Sequence, residues 1–165
     1  MELKILKLLP LFDLYFKSLS VSCVGVNGTL ECRVYCEDTD FGGVVYYANY
    51  LKFAERGRTE MLYNENIDQN ELSQNDIFFV VRNCELEYLH YAKYGDTIEI
   101  ETTITEIKNS SMKMKQLILR KKDKKELCKI NVILVCVKKD EGGIFKAQKL
   151  PDFIRDKLMK YVQIA

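Results

Sequence analysis

Between residues 48 and 64, apolar and small residues return at helical steps. Tyr50, Phe53, Ala54, Gly57, Met61 and Leu62 fall three, four and seven positions apart, on one face. Glu55, Arg56, Arg58 and Glu60 fill the other side, with Glu55 and Arg58 spaced to pair across one turn. This predicts a helix over 48–64, closed by Asn66 and Asp68. The period then changes to two. Residues 77–91, 96–107, 110–120 and 126–138 all read as strands; in the second, Ile98, Ile100 and Ile104 alternate with Glu99, Glu101 and Thr103. The last carries CKINVILVCV, apolar on both faces, which predicts a central strand. Turns at 108–109 and 121–125 join these strands into an antiparallel meander. Ahead of the helix, 29–37 alternates as a strand and 38–43 has turn chemistry. Behind the meander, Pro151 and Asp152 open a last helix over 152–162. One long helix against one curved sheet of about five strands is an α+β, two-layer solution.

Composition narrows the class. The chain has 165 residues, 47% of them apolar, with 25 Lys plus Arg against 24 Asp plus Glu. A formal charge of +1 excludes the basic stripe expected of a nucleic-acid module, and 11% aromatics with only 2 Pro exclude a disordered chain. The six Cys, at 23, 32, 36, 84, 128 and 136, form no CxxC, and the single His90 is close to none of them. No zinc spacing exists, so no metal is expected. Cys32 and Cys36 share a parity, as do Cys128 and Cys136, which predicts small core fillers in a reduced, cytoplasmic protein.

Residues 1–20 have the apolar look of a secretory leader, but Asp13 and Lys17 interrupt them and no small-residue cleavage site follows. The longest uncharged run there, 18–30, is shorter than the roughly 18 residues of a membrane span. Two alternatives stay open for this stretch. One is a short helix, broken near Pro10, that packs on the domain; the other is an amphipathic segment touching a membrane through Leu8, Leu9, Leu11, Phe12 and Phe16. The chain thus divides into an apolar N-terminal extension, 1–27, and a single domain, 28–165.

The chemistry concentrates in 35–58, YCEDTDFGGVVYYANYLKFAERGR. An Asp-Thr-Asp at a strand end is followed by Gly42-Gly43 and a helix start near Tyr47-Ala48. Helix N-termini present free N–H donors and a partial positive charge. A carbonyl held there is polarised as in an oxyanion hole, with an Asp beside it as base or nucleophile. From the residues alone, Asp38 and Asp40 serve equally well as turn-forming caps.

The segment resembles the signature of the 4-hydroxybenzoyl-CoA thioesterase family of hotdog proteins, and in particular its YbgC-like acyl-CoA thioesterases. The pattern is carried by Tyr35, Asp38, Thr39, Asp40, Gly43, Val44, Val45, Tyr46, Asn49, Tyr50 and Leu51. Glu55, Arg56, Arg58, Thr59 and Glu60 continue it, and Gly95-Asp96 and Leu150-Pro151 also match. The resemblance covers about residues 29–160 and implies a hotdog fold, a long central helix wrapped by a five- to six-stranded antiparallel sheet. It implies Asp40 as the catalytic carboxylate, the Tyr47 backbone N–H as the carbonyl-polarising donor, and Gly43 as the residue that lets the backbone turn there. Tyr46, Asn49 and Ser111 are implied as substrate contacts. The substrate would be an acyl-CoA or acyl-carrier thioester, so that coenzyme A is part of the substrate and no cofactor is needed. Lys113, Lys115, Arg120, Lys121, Lys122, Lys124 and Lys125 are a cationic supply for its phosphates. One departure is that the YbgC-like branch usually carries His where this chain has Tyr47. A backbone donor survives that change; an imidazole role does not. His90 reads as a structural or surface residue. The missing His and the apolar leader motivate the alternative of a non-catalytic scaffold for acyl carrier protein or envelope-lipid enzymes. The family expectation for assembly is a homodimer or homotetramer with active sites at protomer interfaces. No membrane span is expected.

Overall fold

The structure, a computed structural model, describes residues 28–163. The 1–27 extension, with the break near Pro10 and both alternatives for its role, lies outside the described residues. Five β-strands and the main helix follow the periodicities of the sequence: β1 (Thr29–Arg33), α1 (Asn49–Asn64), β2 (Ile77–Tyr88), β3 (Thr97–Ile107), β4 (Ser111–Arg120) and β5 (Lys125–Lys139). Three short elements complete the chain: α2 (Gln69–Gln74), β6 (Phe145–Ala147) and α3 (Asp152–Leu158). The first two carry too few residues for a period to register. The last helix is shorter than expected, ending at Leu158 and passing into a 3-10 turn, Met159–Tyr161.

All pairings between the strands are antiparallel, in the order β1-β3-β4-β5-β2, with β6 beside the end of β5. The expected four-strand meander is therefore corrected. Only β3, β4 and β5 are joined by successive turns, whereas β2 lies against β5, with Ile77 opposite Lys138 and Tyr88 opposite Cys128. Alternation reports which face of a strand is buried and carries no information about its neighbour. The doubly apolar β5 is interior, flanked by β4 and β2, as its pattern requires.

Helix α1 packs on β1, β3 and β4 and contributes to two core clusters. Tyr50, Phe53 and Ala54 pack with Leu30, Ile98, Ile100 and Ile118, while Met61 and Leu62 pack with Ile104, Met112, Val132 and Leu134. Gly57 sits between the clusters, where an added Cβ would stand 2.7 Å from Ile100 Cγ2. The polar side of the helix needs one correction, because Arg58 is buried. Its guanidinium donates to Gln116 Oε1 at 2.7 Å and pairs with Glu55. Gln116 is wholly buried and donates to Ala54 O (2.8 Å) and Thr102 Oγ1 (2.9 Å), so every polar group at this crossing is met. Cys36 is also corrected: β1 ends at Arg33, the strand parity stops with it, and Cys36 is exposed on a 3-10 turn.

Candidate active site

The 39–46 loop is built by its own hydrogen bonds. Thr39 bridges to Val45, and the Asp40 N–H donates to Val44 O at 2.9 Å. At the tip, Gly43 donates to Asp40 O (3.0 Å) with φ +73°, and open space surrounds its missing Cβ. It is the left-handed backbone that calls for glycine there. The loop is clamped to the sheet end through Val45 N–H to Ala92 O (2.9 Å) and the Val44–Lys93 bridge.

The two signature carboxylates part company here. Asp38 is buried, and its Oδ2 accepts the Tyr35 N–H at 2.8 Å; it is a structural cap. Asp40 is exposed. One carboxylate oxygen accepts the Gly42 N–H at 2.8 Å, and the side chain otherwise faces open surface. A half-committed carboxylate of this kind is fixed in direction while keeping an oxygen for chemistry.

Helix α1 starts immediately after. Tyr46 N–H donates to Asp38 O (2.9 Å) and Asn49 N–H to Tyr46 O (2.8 Å), whereas the Tyr47 N–H meets no acceptor among the described residues. Tyr47 stands one residue ahead of the helix N-cap, Ala48, at the positive end of the helix dipole. The Tyr47 carbonyl accepts from the Tyr88 hydroxyl at 3.1 Å, which ties the helix entrance to β2. An aromatic wall surrounds this entrance, with ring centroids 4.6 Å apart for Tyr46–Tyr47, 6.4 Å for Tyr47–Tyr88 and 5.8 Å for Tyr50–Tyr88. The neighbouring Tyr47 hydroxyl, by hydrogen bonding and charge, raises Tyr46, and burial raises Tyr50 and Tyr88.

Asp40, Gly43, Tyr46 and Tyr47 thus come together on one loop and helix entrance. Two other expected substrate contacts do not join them. Asn49 is buried, and its amide donates to Asp38 O at 2.9 Å, so within the chain it positions the loop. Ser111 begins β4, whose opposite end, Arg120, is the one near the loop. Ten residues at about 3.3 Å each put these ends on the order of 30 Å apart. The basic supply is largely paired in place: Lys113 with Glu106 (2.8 Å), Lys121 with Glu31 (2.7 Å), Lys122 with Asp96 (3.0 Å) and Lys124 with Glu99 (2.5 Å). His90 is exposed, with Nδ1 donating to Glu126 O at 2.9 Å.

The sequence reading missed the 89–96 loop. A bulge at the start of β5 leaves the Leu127 carbonyl to accept from both Leu89 (2.9 Å) and His90 (3.1 Å), which ends β2 and turns the chain toward the 39–46 loop. The signal was the run Tyr91, Lys93, Tyr94, Gly95, too polar to continue a half-buried strand.

Comparison with known proteins agrees with this architecture. The family model of the thioesterase-like superfamily matches residues 34–158. An Escherichia coli protein named acyl-CoA thioester hydrolase YbgC is 43% identical over 105 residues, 64% of this chain and 78% of that protein. A probable thioesterase of solved structure from Bartonella henselae is 33% identical, with a TM-score of 0.67, covering 74% of this chain and 98% of its own. A 1,4-dihydroxy-2-naphthoyl-CoA thioesterase from Synechocystis shares the hotdog fold, with a TM-score of 0.72 at 24% identity, over 79% of this chain and 93% of that one. With the signature on its turn, the helix seated in the sheet and these relatives in view, the chain belongs to the thioesterase-like superfamily, among the YbgC-like hotdog thioesterases.

Proposed function

We propose that the protein hydrolyses acyl-CoA thioesters to a free acid and coenzyme A at the entrance of α1. The observation that carries this is the exposed, half-committed Asp40 carboxylate on the loop that leads into an unpartnered Tyr47 N–H. The thioester carbonyl oxygen accepts from that N–H, and its carbon becomes more electrophilic as charge moves onto the oxygen. Asp40 either takes a proton from an attacking water or attacks the carbonyl itself. On either path the C–S bond breaks and the sulfur leaves as thiol after taking a proton; where Asp40 attacks, the Asp40–acyl anhydride so formed is then hydrolysed by water, which frees the carboxylate, and water supplies the second carboxyl oxygen of the acid. No separate cofactor is called for.

The assembled enzyme is a homodimer or homotetramer. What supports this is the outer edge of β2, which is unpaired among the described residues and presents exposed Val80 and Val81, an edge that proteins normally cover. Ser111, distant from the loop within one chain, serves the site of a second protomer. Acyl carrier protein is the alternative bearer of the acyl group. The free thiols of Cys36, Cys84, Cys128 and Cys136 fit a reducing, cytoplasmic setting. Among the described residues no helix is long and apolar enough to cross a membrane.

The test is thiol release from short, long and aromatic acyl-CoAs, wild type beside Asp40→Asn. Asn keeps an oxygen for the Gly42 N–H, so the turn stays formed, while turnover falls by about 10²- to 10⁴-fold. Unchanged turnover in a folded variant overturns the assignment of Asp40. No turnover on any thioester favours the scaffold.

A further inference from the structure

Tyr88 closes β2, at the point where the Leu127 carbonyl takes the Leu89 and His90 N–H groups and the chain leaves the sheet. Its ring stands nearly edge-on to two others, at 89° to Tyr47 and 69° to Tyr50, a favoured arrangement for aromatic pairs. Those contacts aim the ring. The hydroxyl at its tip donates to the Tyr47 carbonyl at 3.1 Å, and the question is what that bond does.

A carbonyl at a helix entrance ordinarily accepts from the N–H four residues on. For Tyr47 that donor is Leu51, whose N–H goes instead to Ala48 O at 3.2 Å. No backbone N–H donates to Tyr47 O among the described residues. The peptide that follows Tyr47 therefore stands outside the helical ladder, and the Tyr88 hydroxyl is the group that holds it. The peptide that precedes Tyr47 carries the donor N–H of the site. It is anchored through its carbonyl, Tyr46 O, which accepts the Asn49 N–H at 2.8 Å. That bond reaches across the Tyr47–Ala48 peptide, so the direction of the donor depends on how firmly this peptide is held.

The same rings connect to the carboxylate. Tyr50, on which Tyr88 leans, is only 2% exposed, and its hydroxyl accepts the Ala92 N–H at 3.0 Å. The Ala92 carbonyl in turn accepts the Val45 N–H at 2.9 Å, and Val44 O accepts the Asp40 N–H at 2.9 Å. Ala92 thus joins α1 to the loop of Asp40. Tyr88 refers the Tyr47 N–H to this one frame, which fixes the donor and the carboxylate relative to each other. A carbonyl polarised from one side and attacked from another needs that, because a misplacement of about 1 Å can lower the rate about 10²-fold.

We infer that Tyr88 is a positioning residue for thioester hydrolysis. Its hydroxyl holds the Tyr47 carbonyl and thereby sets the direction of the Tyr47 N–H toward the substrate oxygen, without itself touching the substrate. The inference rests on the proposed thioesterase site and adds a residue to it from β2, far from the signature turn in sequence.

The experiment compares wild type with Tyr88→Phe, which keeps the ring against Tyr47 and Tyr50 and removes only the hydroxyl. Three quantities are measured: kcat and KM on the best-hydrolysed acyl-CoA, Tm, and the infrared carbonyl band of a bound ketone. The ketones are butyryl-CoA and benzoyl-CoA analogues with methylene in place of sulfur and ¹³C at the carbonyl, so that no thiol can leave. In the variant kcat falls about tenfold, the effect of a donor loosened but not removed, while KM changes less than about twofold. Tm falls by no more than about 4 °C, as for one lost hydrogen bond in a chain of this size. In wild type the band moves to lower frequency on binding, and Tyr88→Phe loses at least half of that displacement, which a merely structural role would leave intact. Unchanged kcat, or a lower kcat with the band where wild type has it, overturns the inference while the thioesterase stands. A raised KM at unchanged kcat also overturns it, since the hydroxyl would then act on the substrate directly. If wild type turns over no thioester, the thioesterase reading falls and the band decides alone. A displacement that the variant loses then sustains the positioned donor, and no displacement in wild type overturns it.

Discussion

Replacing Gly57 by Ala tests how closely α1 is seated on the sheet. In an ordinary helix this change is favourable by about 1 kcal/mol, because glycine loses the most backbone freedom. Here the new Cβ would stand 2.7 Å from Ile100 Cγ2 and 3.2 Å from both Gln116 Nε2 and Thr102 Oγ1. Carbon atoms pack best at about 3.5–4.0 Å, so the overlap with the Ile100 methyl is on the order of 1 Å. None of the three neighbours has slack. Ile100 is wholly buried, and its methyl branches from Cβ, where a χ1 change is resisted. Gln116 and Thr102 are bonded to each other at 2.9 Å, and Gln116 also holds Ala54 O and Arg58. The strain is relieved only by lifting the helix, so the cost belongs at the upper end of overpacking, about 3 kcal/mol. Against the helix gain of about 1 kcal/mol, the net loss is about 2 kcal/mol. At about 2–4 °C per kcal/mol for a chain of this size, Tm falls by about 4–8 °C. Thermal melts followed by circular dichroism, with urea titrations to check an unchanged slope, measure this directly. A Tm that rises by a few degrees would refute the reasoning, since it would mean that the helix propensity term acts with no steric opposition.

Two further outcomes follow from the same geometry. Asn49→Ala removes the 2.9 Å bond to Asp38 O, which keeps its other donor, Tyr46 N–H. Stability falls by about 1 kcal/mol, while thiol release at 25 °C falls about tenfold because the loop loses its tie to the helix; equal melting and equal turnover would show the amide to be idle. Tyr161 donates to Glu65 Oε1 at 2.6 Å, and burial, followed by the Glu65 contact, pushes its phenol up to about 12. A raised folded-state value means that this contribution is full below about pH 10, where a free tyrosine titrates, and is lost as pH rises through about 12. Urea titrations at pH 8 and 11 on wild type and Tyr161→Phe isolate the phenol from the rest of the protein. The gap between the two proteins narrows with pH, and a constant gap would show that the phenol contributes nothing to the alkaline loss.

The helix and its buried face were legible because Tyr50, Phe53, Ala54, Gly57, Met61 and Leu62 obey one period, and all are buried. The signature turn was legible because Gly43 and its aspartates are required by local backbone chemistry. Arg58 was misplaced because charge argued for solvent, and what reverses that is Gln116, a partner 58 residues away that no local pattern reveals. Ser111 and Asn49 were named through resemblance, which carries a role across but not where the fold puts the side chain: Ser111 begins β4, whose other end is the one near the loop, and the Asn49 amide is turned to Asp38 O. The pairing of the basic run was invisible for a related reason. Its cations lay in plain view as a lysine run, but only pairing in space separates Lys121 and Lys124, tied to Glu31 and Glu99, from Lys125, which is tied to none among the described residues.

The strand order has a consequence for how the chain reaches its native state. Arg120 meets Lys125 across a short turn, so β3, β4 and β5 close through local hairpins. Both outer strands must close far longer loops, since Ile77 meets Lys138 and Thr29 meets Glu101. Loop-closure entropy is lost before such contacts repay it. The three central strands therefore nucleate, and α1 waits for a partly built surface before β1 and β2 seal the margins. Until then the apolar β5 stands as an open margin, and the crowded cell's danger to this protein, self-association of half-made sheets, is greatest in that interval.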